Sequence, residues 1–214
     1  MTDLFLDILD KNRQEVFSRL GKFSGIGVLA GGTAIALQIG HRQSVDFDIF
    51  TNEPLSPNLW DKARRVFGPG CVQTMNLQGQ LNFQTPSGVS MTFFYTDYPP
   101  LFPLIKTKSI DLFDLKDLST NKAYTIGRRG RWRDYVDLYF LLKEKHITIE
   151  EAISLSQKRY RNEFPTKLFL EQLCYFDDLD DFNIKFFREE ISPETIKDFL
   201  TDEAKKITTP LATF

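Results

Sequence analysis

Cysteine is scarce in this chain: Cys71 and Cys174 are the only two in 214 residues. They stand far apart, without Cys-x-x-Cys or Cys/His spacing, which argues against a zinc site and a disulfide framework. Two reduced thiols of a cytoplasmic protein are the expectation. Long apolar runs are absent too, since no stretch reaches the roughly 18 residues that would mark a membrane span. The opening MTDLFLDILDKNRQEVF alternates acids with apolar residues, where a signal peptide would have a basic start and an apolar core. No membrane partner is expected. An excess of positive charge is also missing. Formal net charge is −2, so any nucleic-acid contact has to come from a local basic patch rather than from bulk charge. Internal repeats and low-complexity tracts are not found.

What the chain does contain is material for a large core. Hydrophobic residues make up 42%, and the 20 phenylalanines favour packing built on large side chains. This length allows one large domain or two small ones. Apolar spacing at Leu4, Ile8, Val16 and Leu20 predicts an amphipathic helix over residues 3–20, closed by Gly21. GIGVLA reads as a short buried strand ending at Gly31-Gly32, and TAIALQI as a helix with Thr33 near its start. DFDIFT alternates charged and apolar residues with period two, the pattern of a half-buried strand. SPNLWDKARRVFG opens on Ser-Pro and closes on Gly, a punctuated helix. CVQTMNL, QLNFQT and SMTFFYT then predict three strands separated by Gly or Pro-Ser-Gly turns, with SMTFFYT central in the sheet. Beyond the prolines of residues 99–103 the character changes, and from Asp111 onward nearly everything reads as helix, ending in SPETIKDFLTDEAKKI with Glu194 in the first turn. The expected organisation is α+β, a mixed sheet flanked by helices in residues 1–103 followed by a helical bundle in residues 104–214.

Chemistry concentrates in AGGTAIALQIGHRQSVDFDIF. Residues i and i+2 of a strand share a face, so Asp46 and Asp48 project their carboxylates together. Such a pair repels or protonates unless a cation neutralises it. Mg²⁺ suits the task, because it takes one or two carboxylates and completes its octahedron with water and substrate phosphate. The alternative is an edge strand with a solvated face. Upstream, glycines after a buried strand allow backbone amides to approach a phosphate. Thr33 adds a hydroxyl beside a helix N-terminus whose dipole favours anions.

These residues resemble the GG[ST]…R-x-S-x-D-x-D signature of the bacterial AbiEii/AbiGii toxin family, within the DNA polymerase beta-like nucleotidyltransferase superfamily. NKAYTIGRRGRWRDYVDLYFLL is similar to that family's Lys-x-x-Ala…Arg…Arg-Asp-x-x-Asp-Leu block, and FLEQLCYFDDLDD to its L-x-YF-D-D segment. The three matches run in the family's order over roughly residues 25–180. The resemblance implies a nucleotidyltransferase fold, and a transfer of a nucleoside monophosphate from an NTP to an acceptor hydroxyl. In that reading Gly31, Gly32 and Thr33 hold the nucleotide's phosphates. Asp46 and Asp48 ligate Mg²⁺ or Mn²⁺. Arg42 and Ser44 steady the loop or contact phosphate. Lys122, Asp134 and Asp137 complete the catalytic set. It further implies an RNA such as tRNA as acceptor, and an antitoxin protein as partner.

The residues themselves add detail. Asp134, Asp137, Leu138 and Leu141 follow i, i+3, i+4, i+7 on one helix face. Lys122 falls on the preceding helix, with Gly130 between the two. The bland alternative is a pair of interhelical salt bridges from Arg131 or Arg133 to those acids. Arg128, Arg129, Arg131 and Arg133 surround Trp132, a set able to grip an RNA backbone and stack on a base. A second basic run, Lys158, Arg159 and Arg161, reads as a solvated face. One departure stands out: SMTFFYT offers Ser90, Thr92 and Thr96 where polymerase beta-like enzymes generally carry a third carboxylate, with no acid until Asp97. That gap leaves the metal count open and motivates one alternative, a non-catalytic nucleotide- or RNA-binding module. A second alternative keeps the chemistry and changes the acceptor to a protein or a small molecule.

Overall fold

The computed structural model describes residues 3–208. Residues 1–2 and 209–214, the outer ends of the two expected domains, lie outside the described residues. The chain divides into two compact units, Met1–Asp114 and Leu115–Phe214. The division falls eleven residues after the prolines that mark the expected boundary (114 against 103). The reason is backbone pairing. Leu112 bridges Ile105 and Leu29, and Leu29 N–H donates to the Asp111 carbonyl at 2.9 Å. Residues 104–114 thereby belong to the first unit's sheet margin.

The first unit begins with a break where the sequence predicts one continuous helix. A 3₁₀ turn, Leu6–Ile8, stops at Leu9, and helix α1 spans Lys11–Arg19. Asp10 is extended, and its carboxylate accepts the Arg13 N–H at 2.9 Å. An Asp in this position satisfies one of the orphan amides of a new helix, so the apolar periodicity continues while the backbone restarts. A second 3₁₀ turn covers Leu20–Phe23.

Five strands follow, as the sequence predicts. They are β1 (Val28–Ala30), β2 (Asp46–Thr51), β3 (Val72–Leu77), β4 (Gln80–Gln84) and β5 (Ser90–Tyr95). Their order in the sheet is β1-β2-β5-β4-β3, which makes β5 the centre. Only the β2–β5 pair is parallel among them. Helix α2 (Gly31–Ile39) joins β1 to β2, and α3 (Leu59–Phe67) leads toward β3. Gly40 ends α2 in a left-handed conformation, φ +62°, the usual glycine stop.

One face of the sheet is packed. Phe47, Ile49, Leu81, Phe83, Met91 and Phe93 are all buried. Phe17 of α1 stacks on Phe47, Phe67 and Trp60 of α3 meet Phe83, and Phe23 meets Phe93. Aromatic pairs at these separations add to the stabilisation from area burial, so the abundance of phenylalanine has a location. The opposite face alternates out of this core, beginning with Asp46 and Asp48 of β2.

The second unit is helical: α4 (Leu115–Arg129), α5 (Trp132–Lys143), α6 (Ile149–Tyr160), α7 (Thr166–Gln172) and α8 (Pro193–Thr208). Helix α4 packs on α5, α6 and α7, while α8 packs on α5 and α6. The helical character expected over nearly all of this stretch gives way at residues 173–192, which are irregular. Clustered acids and Asn183 favour turns over helix here. Aromatic anchors hold the segment down instead, Phe176 against Tyr135, Phe182 against Trp132 and Phe186 against Phe140.

Candidate active site

The junction of β1 and α2 sets up the first unit's site. The chain turns from strand to helix at Gly31, with φ +66°, a region that costs other residues energy. A side chain there would have a second problem. A Cβ on Gly31 would lie 3.2 Å from both Cβ and Cγ of Asp48, and would overlap its Oδ2. Glycine therefore lets the start of a helix close against a carboxylate. The N-cap residue of α2, Ala30, supplies no side-chain cap, and the first-turn amides of a helix are donors of the kind that suits a phosphate.

Thr33 has a different position from the one its hydroxyl suggested. It is buried, its Oγ1 lies 2.6 Å from Ser44 Oγ, and it donates to the Asp46 carbonyl. The hydroxyl thus ties α2 to the first residue of β2. Ser44 and Arg42 are buried as well, and Arg42 donates from Nη1 to the Gln43 carbonyl at 3.0 Å. The R-x-S segment and Thr33 form one buried polar joint that fixes where β2 begins.

From that joint, β2 carries Asp46 and Asp48 half-buried on the open face of the sheet, and β2 is interior, with β1 on one side and β5 on the other. The edge-strand alternative is thereby removed. In register, Asp46 faces Ser90 and Asp48 faces Thr92. The place beside Asp48 where a third acid was sought therefore holds a hydroxyl. Asp97 lies past the end of β5 and takes a hydrogen bond from the Tyr95 hydroxyl. Among the described residues no group of three His, Cys, Asp or Glu is placed to hold a metal.

The second unit gathers its own charged cluster. Lys122 of α4 sits between Asp134 and Asp137 of α5, with Nζ–Oδ distances of 2.6 and 2.7 Å. Side-chain exposure is 8% for Lys122, 13% for Asp134 and 0% for Asp137. Asp134 also accepts the Arg131 N–H at 3.0 Å, which anchors the start of α5. The helical spacing of the two acids brought them together as expected. Lys122 is a cation shared by both acids, a partner that the chain's local charge order, which points to Arg131 or Arg133, does not single out. Spacing alone could not select it, because Lys122 reaches them across the Gly130 turn.

The arginine cluster is placed in part. Arg128, Arg129 and Arg131 are exposed and Arg133 is half-buried. Arg128 lies over the Tyr124 ring at 4.4 Å, and Tyr124 stacks on Tyr160 at 4.2 Å. Trp132 requires a correction. It is 2% exposed and packed between Tyr135 and Phe182, so its ring is core and not a platform for a base. Arg159, read as part of a solvated run, is also corrected. It is buried, and its Nη1 bonds the Asp117 carbonyl and Thr120 Oγ1 at 3.0 Å each. A signal was available, since Ala152, Ser156 and Arg159 follow i, i+4, i+7 on the buried face of α6.

Comparison with known proteins bears on both units. The sequence model of a family described as nucleotidyl transferase AbiEii toxin, type IV toxin–antitoxin system, matches residues 15–212. The uncharacterized protein aq_aa25 of Aquifex aeolicus is 28% identical over 205 residues, covering 92% of this chain and 97% of its own. Among solved structures, the nucleotidyltransferase toxin MenT4 of Mycobacterium tuberculosis superposes with a TM-score of 0.64 at 15% identity, over 97% of this chain and 84% of its own. JHP933 of Helicobacter pylori does so with a TM-score of 0.57 at 17% identity, over 93% of both chains. The structural likenesses establish the nucleotidyltransferase fold. The family match, which spans both the Asp46/Asp48 strand and the Lys122 cluster, goes further: this chain belongs to the AbiEii toxin family of nucleotidyltransferases.

Proposed function

We propose that the protein transfers a nucleoside monophosphate from an NTP to a hydroxyl of an RNA acceptor, with a divalent cation held by Asp46 and Asp48. The observation that carries this reading is the pairing of two half-buried carboxylates on an open sheet face with a glycine closed against one of them. The donor set fits Mg²⁺ or Mn²⁺. Two monodentate carboxylates leave the remaining positions for water and phosphate oxygens, as Mg²⁺ sites on nucleotides require. When bound, such an ion neutralises charge that builds on the transferred phosphoryl group.

The chain's own residues have separable tasks in this reading. Amides of Gly31 and Gly32, at the start of α2, receive the phosphates of the NTP. Thr33, Ser44 and Arg42 act through position, since their polar atoms bond within the joint that presents Asp46. Lys122, Asp134 and Asp137 are required for the same activity, with Asp137 and Asp134 holding the Lys122 ammonium in one place. In the reaction, the acceptor oxygen bonds to the α-phosphorus, the bond from that phosphorus to the bridging oxygen breaks, and pyrophosphate leaves. The hydroxyl proton passes to solvent. The exposed Arg128, Arg129 and Arg131 supply charge for an RNA backbone. As a member of a type IV toxin–antitoxin family, the protein has an antitoxin as its proposed cellular partner.

The test is label transfer. Each α-³²P-labelled NTP is incubated with protein, Mg²⁺ and total RNA, and products are sorted by size and by sensitivity to ribonuclease. Label in ribonuclease-sensitive material is the expected outcome. Label in protein or in small molecules instead would replace RNA as the acceptor.

A further inference from the structure

The sheet face that carries Asp46 and Asp48 continues beyond them, and its composition changes in order. Cross-strand register places Ser90, Thr92 and Phe94 of β5 beside β2, then Gln84, Asn82 and Gln80 of β4. The last row would ordinarily follow the same alternation. A register shift between Gln73 and Met75 instead sets Val72, Met75 and Leu77 opposite Gln84, Asn82 and Gln80. A bulge of this kind re-aims the side chains after it, and here it gives the outer strand an apolar row on the carboxylate face. Val72 and Leu77 are 60% and 62% exposed. The face therefore runs from acids, through hydroxyls and amides, to an apolar margin.

No charge interrupts it. Residues 66–96 contain no Asp, Glu, Lys, Arg or His, in a chain of which 26% is charged. A track for an RNA backbone needs cations, and this face has none past the carboxylates. It matches the uncharged portion of a nucleic acid, the sugar and the base. Hydroxyl side chains pair with a ribose 2′-OH, and amide side chains pair with base edges. Asn82 Oδ1 accepts from Gln80 Nε2 at 3.0 Å, so the amide group outside that bond is Nδ2, a donor. A polypeptide added as a further strand is the competing occupant, and the bulge disfavours it by interrupting the ladder of the outer strand.

We infer that this neutral face is the seat of the acceptor's terminal nucleoside, with Ser90 and Thr92 facing its sugar and Asn82 and Gln84 reading its base. The inference rests on the transferase reading above and specifies which part of the acceptor lies beside the carboxylates. Asn82 makes the seat selective for a base edge that accepts a hydrogen bond. The acceptor's phosphates lie off this face.

The experiment measures label transfer to four short RNAs identical except for the 3′-terminal nucleoside. The wild-type protein is compared with Asn82→Ala, Gln84→Ala and, as a charge control, Arg128→Ala. The wild type discriminates among the four ends, and Asn82→Ala compresses the ratio of best to worst by roughly fivefold to tenfold, the scale of one lost hydrogen bond. Gln84→Ala, at an exposed position where folding is not at stake, compresses it in the same direction. Arg128→Ala lowers all four rates together. The seat is overturned if Asn82→Ala and Gln84→Ala both remain active with wild-type ratios, or if a hydroxyl-bearing peptide takes the label in preference to all four RNAs. Absence of transfer to any acceptor removes the transferase reading itself, an outcome distinguishable from active variants with unchanged ratios.

Discussion

Replacing Lys122 with methionine tests what the buried cluster of the second unit contributes. Methionine keeps the length and much of the volume of lysine, so packing is retained and the charge is removed. What remains are two carboxylates one helical turn apart, with exposures of 13% for Asp134 and 0% for Asp137. Asp134 keeps the Arg131 N–H as a partner, while Asp137 loses an ion pair of 2.7 Å. Breaking a buried pair by removing one partner typically costs about 3–5 kcal/mol. A domain has only about 5–15 kcal/mol in total, so the loss is large. Trp132 offers a local probe, since it opens α5 and is buried beside Tyr135. In a Trp60→Phe background its fluorescence reports urea unfolding of this unit. Lys122→Met should lower the midpoint by an amount equivalent to about 3–5 kcal/mol. Adding Asp137→Asn should recover part of that loss, because neutralising the buried acid removes the penalty that the first substitution exposed. A cost under about 1 kcal/mol for Lys122→Met, or a further drop on adding Asp137→Asn, would refute the reasoning, since the first is the range of exposed pairs.

Two other consequences follow from the packing. Gly31→Ala places a methyl 3.2 Å from Asp48 Cβ and Cγ in a backbone region of φ +66°. Transfer activity should fall on the order of a hundredfold, as misplacing a reacting group by about 1 Å does, while the thermal midpoint shifts by only a few degrees for a strain of about 1–2 kcal/mol; retained activity in a folded variant would exclude the close approach. Burial raises Tyr160 above the ordinary tyrosine value of 10.0. Tyr135 is raised too, by burial first and then by Asp178 and Asp134. A raised folded value means that the native state binds more protons than the unfolded one above pH 10. Stability from both phenols is therefore complete below about pH 10 and is lost as pH rises beyond it. Urea midpoints measured from pH 8 to pH 11.5 should be flat and then fall, and Tyr160→Phe should shallow the fall.

Much of this architecture was legible in the chain because its signals are local. Period-two alternation in DFDIFT fixed both the strand and the shared face of Asp46 and Asp48, and glycine after an apolar run marked the β1–α2 turn. The α5 acids were found through helical spacing in the same way. What escaped were choices made by distant partners. Thr33 looked like a phosphate donor because its hydroxyl stands near a helix start, and only the return of the chain at Ser44 and Asp46 shows that hydroxyl already engaged. Trp132 sits among arginines in sequence, yet Phe182, fifty residues later, covers it. Lys122 was tied to the acids by resemblance and to nothing by spacing, since the turn at Gly130 reverses the chain between them. The bulge in β3 has no clear signature in VQTMNL, and without it the outer row of the carboxylate face would alternate differently.

The central claim is that Asp46 and Asp48 hold the cation on which nucleotidyl transfer depends. The direct measurement is transfer of label from an α-³²P-labelled NTP to RNA across a Mg²⁺ titration, for the wild type, Asp46→Asn and Asp48→Asn, each shown to be folded by its thermal midpoint. Asparagine preserves shape and removes one negative charge per ligand. Mg²⁺-dependent transfer by the wild type, abolished by chelation, is the expected result, with a loss on the order of a hundredfold or more in each variant. Transfer by folded Asp48→Asn at the wild-type rate and with the same Mg²⁺ dependence would contradict it.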